Sequence, residues 1–252
     1  MQLNKILAVL VSLLLIVGCS QNPPAPKKLS KAEKAEIYRN LGVRYYQLGK
    51  LGIAKEKLTK ALQIVPNDAQ THNALGVLYG RLNDNSTAKK YFESAITLAP
   101  GDAKVKNNYG RFLCEKRQYQ QAMSYLQSAA KDPTNQVKWQ VFTNLGHCNL
   151  LQGHKHKATL YFKKALLQNP KHAPALLEMS RIYYGKREYM TARAFLERFF
   201  SASGKFQTAE SLNLGYLIEN ALGANTKAEN YRNSLMRQFP DSPEVERILM
   251  ER

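Results

Sequence analysis

Residues 41–66 read LGVRYYQLGKLGIAKEKLTKALQIVP, and residues 75–100 read LGVLYGRLNDNSTAKKYFESAITLAP. The two stretches start 34 residues apart and share a skeleton of small, bulky and breaking residues. The first holds Leu41, Gly42, Tyr45, Ala54, Leu58, Ala61 and Pro66; the second holds Leu75, Gly76, Tyr79, Ala88, Phe92, Ala95 and Pro100. The skeleton recurs with erosion. Tyr109, Gly110, Leu113, Ala122, Leu126 and Ala129 carry it a third time, with Pro133 one place early. A two-residue insertion near PTNQVKW precedes a fourth copy: Leu145, Gly146, Asn149, Ala158, Phe162, Ala165 and Pro170. The fifth is Met179, Ser180, Tyr183, Ala192, Leu196 and Phe199, with Gly204 in place of the proline. The sixth is Leu214, Gly215, Ile218, Ala228, Leu235 and Pro240, read with one extra residue in its inter-helix turn.

This pattern resembles the tetratricopeptide repeat, a helix-turn-helix of about 34 residues. The resemblance implies an all-α fold: six helical hairpins stacked into a right-handed superhelix, closed by a short helix that Ser242 caps and Pro243 opens. The physics of the marker positions agrees. The glycine and the alanines stand where helices cross, Leu and Tyr fill the space between them, and the proline stops the second helix. Such a solenoid presents a concave face made by the first helix of each pair, which is a binding surface rather than a catalytic pocket.

The N-terminus reads differently. LLLIVGCSQNPPAPKK (residues 13–28) ends an apolar run, Ile6 to Val17, that is too short to cross a bilayer but fits a signal-peptide core. Ile16-Val17-Gly18-Cys19 resembles the lipobox of bacterial lipoproteins. The resemblance implies cleavage before Cys19, lipidation of its sulfur, and, with Ser20 rather than Asp next, sorting to the outer membrane facing the periplasm. The expected organisation is a signal peptide (residues 1–18), a lipidated cysteine and proline-rich tether (19–34), and a repeat domain with a C-terminal cap (35–252).

Composition narrows the function. The net charge of +18 is large, yet no basic run reaches five residues and no nucleic-acid motif accompanies it. It reads as a solvated surface suited to an anionic membrane leaflet. His147, Cys148, His154 and His156 lack the second cluster that a structural zinc needs; His147 is expected in a first helix, and His154 and His156 in the turn after it. Cys114 and Cys148 fall on neighbouring helices at non-equivalent repeat points; they read first as small buried apolar residues, and a disulfide between them in an oxidising compartment is the second reading. No phosphate loop, nucleophile elbow or acid pair is present. The reading is a non-enzyme with no cofactor beyond the covalent lipid on Cys19, no small-molecule substrate and no nucleic-acid partner.

With Leu-Gly as positions seven and eight, positions two, five, six, nine, twelve and thirteen face the groove. Position six is Asn40, Asn108, Asn144 and Asn213 in four repeats. Such an amide is suited to bridge a bound peptide backbone, or to bond its own scaffold. Arg39, Val43, Tyr46, Val77 and Arg81 make a mixed apolar and basic surface, continued by Arg111, His147, Leu150, Arg181 and Tyr184. Val43 stands where a carboxylate clamp needs Asn, so the expected ligand is an internal or amphipathic segment, contacted above all at Tyr46 and Arg81.

Three blocks carry a closer resemblance: NNYGRFLCEKRQYQQA (107–122), ALLEMSRIYYGKREYMTARAFLERF (175–199, with Glu-Met-Ser in place of Leu-Gly) and FPDSPE (239–244). With the lipobox and tether they resemble the secretin pilotins of type IV pili, the PilF/PilW family. That resemblance implies an outer-membrane lipoprotein that binds secretin subunits and promotes their localisation and multimerisation. The alternatives are a periplasmic adaptor for a protease or peptidoglycan enzyme, and a peptidoglycan-associated structural protein.

Overall fold

The computed structural model describes residues 29–204 and 207–250; the leader, Cys19 and most of the tether lie outside the described residues. Thirteen α-helices and no strands are found among the described residues. They pair as α1 (Lys31–Gln47) with α2 (Leu51–Ile64), α3 (Ala69–Arg81) with α4 (Asn85–Leu98), and α5 (Ala103–Glu115) with α6 (Tyr119–Lys131). The later pairs are α7 (Lys138–Leu151) with α8 (Lys155–Gln168), α9 (Ala173–Gly185) with α10 (Tyr189–Ser203), and α11 (Ala209–Ala221) with α12 (Asn225–Gln238), followed by α13 (Pro243–Met250). Each hairpin packs on the next; the first helices α1, α3, α5 and α7 touch in series, as do α9 and α11, while α7 meets α9 through His147 and Glu178. None of these helices is long and apolar enough to cross a membrane.

Local chemistry sets the helix ends. Ser30 accepts from the Glu33 amide while Glu33 accepts from the Ser30 amide, so α1 starts at Lys31, four residues before the repeat domain was expected. Asp68, Asp84 and Asp102 cap α3, α4 and α5 through their carboxylates, each cap contributing about 1 kcal/mol. Within every hairpin the turn is three residues long and its middle residue has positive φ: Gly49, Asn83, Arg117, Gly153, Arg187 and Gly223. Each turn closes with the same backbone bond, from the amide after that residue back to a carbonyl five residues earlier, as in Lys50 to Tyr45 and Gln118 to Leu113.

The small positions are steric necessities. A Cβ added at Gly42, Gly76, Gly110, Gly146 or Gly215 would lie 2.6–2.8 Å from Leu58, Phe92, Leu126, Phe162 or Tyr231. These partners lie in the second helix of the same hairpin, and Phe92 and Phe162 are fully buried. Burying a side chain of that size stabilises the fold by about 2–3 kcal/mol.

Three expectations are corrected. First, the turn of the sixth hairpin has no extra residue: it spans 222–224, like 48–50 in the first. Its closing bond runs from Ala224 to Glu219, four residues after Gly215, where Lys50 bonds Tyr45, three after Gly42. The additional residue is therefore absorbed inside α11, and Tyr231 is the side chain that packs on Gly215. Leu235 joins Leu212, Val245 and Ile248 beneath the cap helix.

Second, the alternative reading of the two cysteines holds over the first: Cys114 and Cys148 form a disulfide between α5 and α7, their Cα atoms 5.6 Å apart. Non-equivalent positions are what a stack permits. One side of a repeat meets the opposite side of the next, so the two contacting faces hold different repeat positions. Third, His156 lies within α8 rather than in the preceding turn.

Candidate functional site: the groove of the first helices

Residues from α1, α3, α5, α7 and α9 line a run of three cavities. Arg39, Asn40, Val43, Tyr46, Val77 and Asn108 border one of about 240 Å³. Tyr46 and Val77 reappear beside Arg81 and Arg111 in the next, of about 290 Å³. Asn108, Arg111, Asn144 and His147 border the largest, of about 830 Å³, with Trp139 and Glu178. Shared walls make the three one groove. Of the fourteen residues singled out from the sequence as groove-facing, eleven lie along it, whereas Arg181, Tyr184 and Asn213 border none of the three cavities.

Their surroundings separate scaffold from surface. Arg39 Nη1 donates to Asp68 Oδ2 at 2.7 Å, tying α1 to the cap of α3. Burial pushes the Asp68 carboxyl up, but the Thr71 hydroxyl and the Arg39 guanidinium outweigh it and hold it below the usual range. Asn108 Nδ2 donates to Asn73 Oδ1 at 3.2 Å, and Asn144 Nδ2 to Asn107 Oδ1 at 2.8 Å. Both asparagines thus spend one donor linking neighbouring first helices and keep their remaining amide groups toward the groove. The exposed Arg81 lies over the Tyr46 ring, 5.6 Å from its centroid, so the two offer a single cationic-aromatic surface.

The far end of the groove is more strongly charged. Arg181 bonds Glu178 at 2.8 Å and Glu210 at 2.5 Å, and His147 Nδ1 lies 4.0 Å from Glu178. Burial pushes Glu178 up against the pull of Arg181, and it pushes the His147 imidazole down together with Arg181 and Arg111. The His172 ring lies tilted against Trp139 with centroids 4.5 Å apart, and burial, with His147 nearby, lowers its pKa to about 4. Among the described residues no cluster of His, Cys, Asp and Glu has the arrangement to hold a metal ion.

One feature was missed in the sequence. Ile37 and Leu41 are 45% and 38% exposed, yet their counterparts one repeat on, Thr71 and Leu75, are 0% exposed. Val105, Val141 and Ala175, and Tyr109, Leu145 and Met179, are buried likewise. Among the described residues no hairpin precedes α1, so the face that every later repeat covers stays open there. Contact along the stack could have been inferred from the repeat pattern, because the first unit always has one unmatched face.

Comparison with known proteins gives the family. The TPR repeat pattern matches residues 42–83, and the tetratricopeptide repeat pattern matches 69–102 and 140–172. The type IV pilus assembly protein PilF of Pseudomonas aeruginosa is 34% identical over 251 residues, 97% of this chain and 98% of that protein. A solved structure of P. aeruginosa PilF has a TM-score of 0.73 at 33% identity, covering 88% of this chain and 99% of its own. The crystal structure of PilW, a widely conserved type IV pilus biogenesis factor, has a TM-score of 0.74 at 28% identity, covering 85% and 98%. The chain belongs to the PilF family of type IV pilus assembly proteins, folded as a tetratricopeptide repeat solenoid.

Proposed function

We propose that the chain is a pilotin: an outer-membrane lipoprotein, anchored through Cys19 and facing the periplasm, that binds secretin subunits of the type IV pilus and promotes their localisation and multimerisation. It does so without catalysis, as a scaffold. The observation that carries the reading is the meeting of two surfaces on α1, where the open apolar face of Ile37 and Leu41 adjoins the groove wall of Asn40, Val43 and Tyr46. An uncovered repeat face accepts a helix or strand in the place of a missing repeat, and the groove takes the adjoining segment. The lipid supplies transport: whatever the solenoid holds travels with the anchor.

The reading is tested by capture of purified secretin subunits on the full chain. Ile37→Asp with Leu41→Asp should weaken capture tenfold or more while leaving the melting temperature near wild type, since both positions are exposed. Unchanged capture would remove this surface from the account.

A further inference from the structure

The outward face of α8 departs from the pattern of its sister helices. Counting from the buried alanine of each second helix (Ala54, Ala88, Ala122, Ala158, Ala192 and Ala228), one solvent position holds Glu56, Lys90, Ser124, Leu160, Ala194 and Asn230. Another, seven residues on, holds Gln63, Thr97, Lys131, Leu167, Ser201 and Arg237. Only α8 places leucine at both, and these leucines are 48% and 80% exposed. Lys157, Lys163 and Lys164 stand three or four residues from Leu160 on the helix, Lys171 follows just past its end, and all four are exposed. Helix α8 contains no acidic residue, and from Lys116 to Leu177 nine lysines and arginines meet a single acid, Asp132.

We propose that this face of α8 rests on an anionic lipid bilayer. Apolar side chains set among lysines match the boundary between headgroups and acyl chains: the leucines enter the interface while the ammonium groups reach the phosphates. A soluble helix gains nothing from Leu167 in water. Arg198 donates to the Pro170 carbonyl at 3.2 Å, which extends the basic rim of the patch onto α10. This contact rests on the membrane location proposed above. The 12 residues from Cys19 to Lys31 reach at most about 40 Å, so an anchored solenoid stays within reach of the bilayer. Tether and α8 together would hold it at two points and fix which way its groove faces.

The test uses the full chain with Leu167→Cys carrying a polarity-sensitive fluorophore, mixed with phosphatidylcholine vesicles with or without one-third phosphatidylglycerol. The label should shift to the blue with the anionic vesicles only, and the shift should fade in 0.5 M salt. The same label at Lys131→Cys, the matching position on α6, should not shift. Lys157→Glu, Lys163→Glu and Lys164→Glu together should reduce the vesicle-dependent signal about tenfold or more. Hydrogen exchange of the unsubstituted chain on the same vesicles should slow over residues 155–171. A label that stays aqueous on anionic vesicles, or an equal shift at both positions, would overturn the proposal. So would a shift given by soluble polyglutamate but not by the vesicles, which would point to an acidic protein. None of these failures touches secretin capture, which reads the pilotin proposal separately.

Discussion

The Ser180 hydroxyl donates to the carbonyl of Ala192 at 2.9 Å, fully buried between α9 and α10. Ser180 stands where the other hairpins have glycine, and Ala192 is the alanine twelve residues on. At Gly42 and Gly110 an added Cβ would lie 3.2 Å from the equivalent carbonyls, of Ala54 and Ala122. The fifth repeat therefore answers the same close approach with a hydrogen bond. Its partner, Leu196, is smaller than the phenylalanines facing Gly76 and Gly146. Ser180→Gly should lower stability by about 1–2 kcal/mol, the sum of a lost hydrogen bond and poorer helix propensity. Ser180→Val should cost more, about 2–3 kcal/mol, through overpacking. Urea denaturation of the two variants gives the order.

Arg117 and Arg187 occupy the left-handed turn position that three other hairpins give to glycine. A side chain there costs about 1 kcal/mol in backbone conformation. Arg117→Gly and Arg187→Gly should each raise stability by about 0.5–1 kcal/mol, less than the full relief because glycine frees the unfolded chain. A lower denaturation midpoint in both would contradict this account of the turns.

Cys114→Ser with Cys148→Ser should destabilise the solenoid by about 2–4 kcal/mol, since the cross-link closes a loop spanning 34 residues. Reduction of the wild-type chain should lower its melting temperature, and the double variant should no longer respond to reductant.

His172 makes stability depend on pH. Its folded pKa, about 4, lies below the ordinary value of 6.5, so the unfolded chain takes up its proton first as pH falls. The stabilisation it carries is complete above pH 6.5 and is lost progressively as pH falls toward 4. His147 is shifted the same way, whereas Glu178, shifted upward, gains stability from protonation and opposes them. His172→Phe should flatten the fall in melting temperature between pH 7 and 4.

The two groove arginines should part company. Arg39→Glu faces Asp68 and should unsettle the start of α3, by about 1 kcal/mol for a partly exposed pair. Arg81→Glu should leave thermal stability nearly unchanged and weaken secretin capture, because the exposed Arg81 lies over the Tyr46 ring on the groove wall.

The repeat register was legible because glycine, alanine and the bulky partner are fixed by backbone approach, which leaves few alternatives at those positions. Gly42 with Leu58 and Gly146 with Phe162 could be read directly. The disulfide was legible only as the second reading, because comparing equivalent positions misjudges a stack in which opposite faces meet. Helix α11 was misread for a related reason: a residue absorbed within a helix leaves the turn length unaltered and shifts only what lies around it. The run of the groove from Arg39 to Leu150 was legible, but Arg181, Tyr184 and Asn213 fall outside the cavities it forms. That Asn108 and Asn144 each give a donor to the first helix of the preceding hairpin, and that Ile37 and Leu41 are left uncovered, depends on which neighbour is present, and a single repeat does not record that.

We propose that a lipid on Cys19 carries a secretin-binding solenoid to the outer membrane. Membrane fractionation, with SDS-resistant secretin multimers scored by immunoblot, tests it in wild-type cells, a deletion strain and a strain expressing Cys19→Ala at matched level. The account predicts that multimers disappear in the deletion strain, and that secretin leaves the outer-membrane fraction when Cys19 is replaced. Normal assembly and sorting of the secretin in both strains would contradict it.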